Sequence, residues 1–230
     1  MSDGPQADNR AHAAVRDALL GLQDNVVRAA FIGHFQEQLD SFERTMTYVY
    51  ERWLRFESDF AKDHDSAIVV GTLFTVVARA LLSMKLLMLG QLTMSGSAQR
   101  QACEALGLAF LCAQRDWPYR QQTWDGQFST NKAVGLVIKR SAELGLDASA
   151  LETLRQAQSF YNQFSHPTVL AMADLINLNG GGHHLGASFD RHKVEFYEKD
   201  LISRLGFAGI LANAIDGVDQ QMRRWPQFRT

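Results

Sequence analysis

Residues 31 to 60 read FIGHFQEQLDSFERTMTYVYERWLRFESDF. Phe31, Phe35, Leu39, Phe42, Met46, Val49, Trp53, Phe56 and Phe60 follow one another at steps of three and four. That spacing predicts one sustained apolar stripe on a helix of about eight turns. Glutamines, glutamates and arginines fill much of the remainder, as on a solvated face. A chain that opens on such a helix needs partner helices to cover the stripe. The segments that follow supply them.

AKDHDS (61–66) ends this helix, with Asp65 or Ser66 placed as the next N-cap. Residues 67–94 are apolar on most faces and predict the central helix of a bundle. SGS (95–97) is expected to break it, with a further helix from about 98 to 115. WPYRQQTWDGQFS (117–129) holds Pro118 and Asp125-Gly126 and shows no period, which predicts a loop. Ser129 or Thr130 is placed to cap a helix ending at Gly145. Asp147 or Ser149 is placed to cap another running toward Pro167. Asp190 is placed to cap a last long helix, where Val194, Tyr197, Leu201, Leu205, Ala208, Leu211, Ile215, Val218, Met222 and Trp225 again step by three and four. Gly206, Gly209 and Gly217 within it mark either close helix contacts or a break near 206.

Between the last two helices, residues 168–190 carry NGGG and two adjacent histidines. Glycines there supply the positive φ of a tight reversal. The expectation is one more helical turn, then a small hairpin or irregular excursion near residues 174–189. The whole predicts an all-α bundle of six or seven helices, with residues 1–10 as a disordered tail and 11–230 as one domain.

A net charge of −2 gives no general pull toward nucleic acid or an anionic membrane. Cys103 and Cys112 lie nine residues apart in one predicted helix. That is about 13 Å, too far for a disulfide. They read as core thiols of a reducing compartment. The first ten residues lack a secretory pattern. Arg79 and Lys85 inside the apolar segment 67–92 argue against a membrane span. A cytoplasmic protein is expected.

No phosphate-binding loop, dinucleotide fingerprint, nucleophile elbow or Glu-x-x-His pair occurs, so no cofactor is expected. Four histidines, His166, His183, His184 and His192, gather around the glycines, with Asp174 or Asp190 as a possible carboxylate. Their spacing matches no known metal site, and a surface turn with incidental imidazoles is the simpler reading. His166 precedes Pro167, where an imidazole can serve the free carbonyls of a helix end. Glu104 sits among apolar residues, which predicts a pairing with Arg79, Arg100 or Lys85. Such a pair either fixes helix register or lines the pocket of a small-ligand sensor. Trp117, Tyr119 and Trp124, interleaved with arginines, form either a partner-binding patch, an RNA-stacking surface, or a loop folded over the bundle.

A central helix with an embedded arginine, RQACEAL (100–106), YNQFSHPT (161–168), GGGHHLGASFD (180–190) and a long final helix together resemble bacterial all-α proteins similar to the HEPN-like group. That group includes abortive-infection and toxin-like members, and the resemblance covers roughly residues 67–220. It implies a helical bundle and a tendency to form homodimers. Active HEPN ribonucleases carry an Arg followed after four to six residues by a His. Arg155 and His166 are separated by ten residues, wider than that pattern. Arg28 and His34 fit the spacing but lie in the N-terminal helix. The leading expectation is a binding module that self-associates, with a protein partner possible. A metal-independent ribonuclease using His166 and Arg155 is the alternative from the enzyme class.

Overall fold

The aromatic stripe of residues 31–60 is buried almost throughout, in a computed structural model that describes residues 4–61, 64–164, 168–176, 178 and 182–228. Helix α1 is Gly4–Leu20, beginning inside the stretch expected as a tail. Helix α2, Asp24–Phe60, carries the stripe, with Leu39 partly covered and the other eight positions buried. Its backbone leaves helical geometry once, at Phe35 (φ −131°, ψ 27°). The Ser66 hydroxyl, at the position expected to cap the next helix, donates instead to the Phe60 carbonyl, tying the end of α2 to the start of α3.

Helix α3, Ala67–Leu87, and helix α4, Leu92–Cys112, make the most extensive helix–helix contact among the described residues. Between them the chain turns at residues 88–91, not at the expected SGS. Gly90 makes that turn with φ +67°, and a Cβ there would lie 1.7 Å from the Ser188 carbonyl oxygen. Only glycine fits both demands. SGS lies inside α4 because its small side chains meet neighbours closely. The buried Ser95 hydroxyl donates to the Ser83 carbonyl of α3 at 2.6 Å. A Cβ at Gly96 would come within 2.6 Å of the Phe164 ring. Small polar residues read as breakers are here contact residues.

Residues 119–124, expected as loop, form the short helix α5, Tyr119–Trp124. The helix expected over 130–145 is divided into a 3-10 turn, Thr130–Lys132, then α6, Ala133–Lys139, and α7, Ser141–Leu144. Arg140 (φ −110°, ψ 17°) interrupts α6 and α7, and Gly145 (φ 65°) closes the run as expected. Helix α8 is Ala148–Asn162, and α9 is Val169–Asp174. Ten α-helices are therefore present among the described residues, six of them long, and no named strand. The expected excursion is held by one antiparallel bridge, Ile176 to His183, and by His184 N–H donating to the Leu175 carbonyl at 3.0 Å.

Asp190 caps the following turn, Arg191–Lys193, by accepting from His192 N–H at 2.9 Å, while its other oxygen accepts from Leu178 N–H at 2.7 Å. One carboxylate thus pins both ends of the excursion. Helix α10, Val194–Met222, follows without a break near 206. Gly206 and Gly209 face open space, so neither marks a close contact. Helix α10 packs on α2 and α3, while α4 is wrapped by α3, α6 and α8. Two helical stretches, Ala67–Leu87 and Arg191–Met222, are long and apolar enough to cross a membrane by length and composition alone.

Candidate functional site

The α3–α4 turn, α9 and the excursion meet over Phe164 and leave a pocket of about 550 Å³ between them. Local chemistry explains its shape. Thr168 starts α9 by accepting from Ala171 N–H at 3.2 Å, and its hydroxyl donates to the Gln163 carbonyl at 2.6 Å. Six residues later the helix ends at Asp174. There the carboxylate Oδ2 accepts from Thr93 N–H at 2.9 Å. That N–H is one of the orphan donors at the start of α4, so Asp174 caps a helix distant in sequence. Lys193 Nζ donates to the carbonyls of Ala173 and Asp174 at 3.1 and 2.9 Å, serving the opposite end of α9.

The second Asp174 oxygen, Oδ1, is buried and has no hydrogen-bond partner. His184 Nδ1 is likewise buried and without one. Both residues line the pocket, and the rest of its wall is largely apolar, with Met94, Phe164, Met172 and Leu175. Burial holds the His184 imidazole below its usual pKa, with Lys193 acting in the same direction and Asp174 and Asp190 opposing. His184 is therefore neutral at physiological pH.

Glu104 finds one of its three expected partners. Arg100 Nε donates to Glu104 Oε1 at 2.7 Å. Thr130 and Gln158 complete the cradle at 3.3 and 3.4 Å, so the carboxylate joins α4 to the 3-10 turn and α8. Lys85 is exposed and Arg79 is half-buried, and neither meets Glu104. Arg100 is the partner because it lies one helical turn from Glu104 in the same helix.

Of the aromatic loop, Trp117 and Tyr119 fold back onto the core. The Arg140 guanidinium lies 4.3 Å from the Trp117 ring centre. Trp124 alone is exposed, tilted against His64. Arg155 is on the surface, bound through two nitrogens to Glu152 at 2.6 and 2.8 Å. His166 lies outside the described residues. His183 and His192 are exposed, and among the described residues no three His, Cys, Asp or Glu side chains come together as a metal site would need.

One polar centre escaped the sequence reading. Arg204 and Asp200 pair at 2.8 Å inside the bundle. Arg204 also donates to Ser95 Oγ at 2.8 Å, and Tyr161 donates to Asp200 at 2.8 Å. The available signal was an acid and a base one turn apart beside Tyr197, Leu201 and Ala208, on the face that the apolar stripe assigns to the core.

A third feature is an apolar surface. On α3 the exposed positions Ala67, Gly71, Phe74 and Leu81 repeat at helical spacing, with exposed Thr75 and half-buried Arg79 beside them and Lys85 following. Phe74 packs on Trp53 (4.7 Å between centroids), which stacks on Tyr50 (5.6 Å), so α2 extends the patch through Tyr50 and Leu54.

Fold and sites together define an all-α bundle with a buried ionic centre, one largely apolar pocket at an excursion, and an uncovered apolar helix face. No family model, curated protein or solved structure matches this chain.

Proposed function

We propose that the protein is a non-enzymatic binding module that self-associates through the outer face of α3 and the adjoining part of α2. The observation that carries this reading is the set of exposed apolar side chains Tyr50, Leu54, Phe74 and Leu81 on the packed helices α2 and α3, each 42–46% exposed. Exposed apolar side chains scattered singly are ordinary, but a contiguous patch on a rigid helix is what interfaces are made of. Because α3 is held on its inner side by α4, this face is presented without the cost of ordering a loop.

A second copy is the occupant that the pattern favours. A two-fold interface must be self-complementary. An antiparallel pairing of two α3 helices places Phe74 and Leu81 of one against Ala78 and Gly71 of the other, large against small. It also carries each Lys85 toward the amino-terminal end of its partner's helix, where Asp65 is exposed.

Sedimentation velocity tests this. The expected result is a concentration-dependent dimer that Leu81→Glu converts to monomer, with the helical circular dichroism signal unchanged. A wild-type chain that stays monomeric at tens of micromolar, or a dimer indifferent to Leu81→Glu and Phe74→Ser, overturns the reading. Binding to lipid vesicles that competes with self-association would assign the face to a membrane surface instead.

A further inference from the structure

We propose that the pocket between the α3–α4 turn, α9 and the excursion binds a small organic cation, an amidinium or ammonium group on an apolar body. Two of the residues that line it, Asp174 and His184, each hold a buried polar atom with no hydrogen-bond partner. Asp174 is 6% exposed, yet only its Oδ2 is used, by Thr93 N–H. Its Oδ1 is buried and without a partner, as is His184 Nδ1. Buried polar atoms are paired in nearly all folded proteins, and a carboxylate oxygen left unpaired on a pocket-lining residue is the complement of a donor from outside.

The charge of that donor follows from its surroundings. A carboxylate out of bulk water gains most from a charge-assisted bond. The neutral imidazole of His184 adds no repulsion. Lys193, the nearby cation, directs its Nζ at the Ala173 and Asp174 carbonyls. An anion would face Asp174 directly. A divalent metal finds two side chains here, too few for a site, and no cluster of three His, Cys, Asp or Glu is available among the described residues.

The remaining wall selects the body of the ligand. Met94, Phe164, Met172 and Leu175 line the pocket, and Leu185 stands 65% exposed on the same excursion. Methionines adapt to irregular apolar shapes. A volume of about 550 Å³ lies in the range of small-molecule sites. The ligand is thus an amphiphile, with its cationic end at Asp174 and its apolar end toward the methionines.

Benzamidine is the probe, with benzamide and benzoate as its neutral and anionic counterparts, and titration calorimetry on the full chain is the readout. Benzamidine is expected to bind, with benzoate silent and benzamide weaker by about tenfold or more. Asp174→Asn keeps an oxygen for Thr93 N–H and removes the free acceptor, so it is expected to lose about tenfold in affinity while remaining folded. Met172→Trp, at a half-exposed position on the rim, is expected to block the pocket and serves if the first variant does not fold. No binding of benzamidine at about millimolar concentration, equal binding of benzoate, or affinity untouched by both substitutions overturns the proposal.

Discussion

Arg204 donates to Asp200 at 2.8 Å with the two side chains only 1% and 2% exposed, the one ion pair among the described residues that is closed to solvent on both sides. Desolvation of two charges makes such a pair a poor source of net stability, but the loss of one partner strands the other. Tyr161 and Ser95 bind the same pair from α8 and α4, so it holds three helices in one register. Arg204→Met is expected to lower the unfolding free energy by roughly 3–5 kcal/mol. The Arg204→Met, Asp200→Leu double variant is expected to recover part of that loss. Urea denaturation of the two variants checks this, and a double variant weaker than the single by the full sum contradicts the shared-pair account.

Gly90 and Gly206 make opposite predictions from the same substitution. At Gly90 the positive φ alone costs an alanine about 1–2 kcal/mol. Its Cβ would also sit 1.7 Å from the Ser188 carbonyl oxygen, so the turn or the excursion must move. Gly90→Ala is therefore expected to cost roughly 3 kcal/mol or more in all. It should also break the Ser188 N–H bond to the Leu89 carbonyl, now 3.0 Å, which faster amide exchange at Ser188 would report. Gly206 lies mid-helix with nothing within 4 Å of an added Cβ. Gly206→Ala is expected to stabilise by roughly 0.5–1 kcal/mol, measurable as a rise in Tm.

These two glycines also mark what the sequence could and could not convey. The stripes of α2 and α10 were legible because period and burial coincide, from Phe31 to Phe60 and from Tyr197 to Met222, with Trp225 buried just beyond the end of α10. Gly145 and Asp190 were legible as a helix end and a helix start because each acts locally. Ser95 and Gly96 were misread since their reason lies elsewhere in the chain, in Ser83 and Phe164. The candidate site divides the same way. His184 and Asp174 were noticed as residue types, whereas their unpaired atoms and common pocket are tertiary facts. The partner of Glu104 was found only where it was local, at Arg100.

Glu104 is the acceptor for three elements at once, Arg100 in its own helix, Thr130 and Gln158. Glu104→Ala removes all three bonds and leaves Arg100, 21% exposed in its side chain, without its counter-ion. The expected cost is roughly 2–3 kcal/mol. Glu104→Gln keeps one acceptor oxygen and is expected to cost less. Because the lost bonds join α4 to residues 130 and 158, amide exchange should accelerate first over 130–139 and 151–160. Uniform acceleration across the chain would show that Glu104 supports the whole bundle rather than that corner.

Both cysteines are buried thiols, and burial pushes Cys103 up to about 12 and Cys112 up to about 11. Glu104 adds to the first shift, and the Thr123 hydroxyl opposes the second. Burial likewise pushes Tyr197 up to about 12. Each of these groups binds its proton more tightly in the folded chain than in the unfolded one. Their contribution is therefore complete below the ordinary thiol pKa of about 8.5, and it is lost as pH rises through the folded values. Stability is expected to fall above about pH 9, by on the order of 1.4 kcal/mol per pH unit for each thiol, until the folded pKa is reached. The same burial keeps the thiolate scarce, so both cysteines should resist a disulfide reagent at pH 8 in the native protein and react at once in denaturant. A native cysteine that reacts within seconds at that pH would mean that α4 opens far more readily than its packing implies.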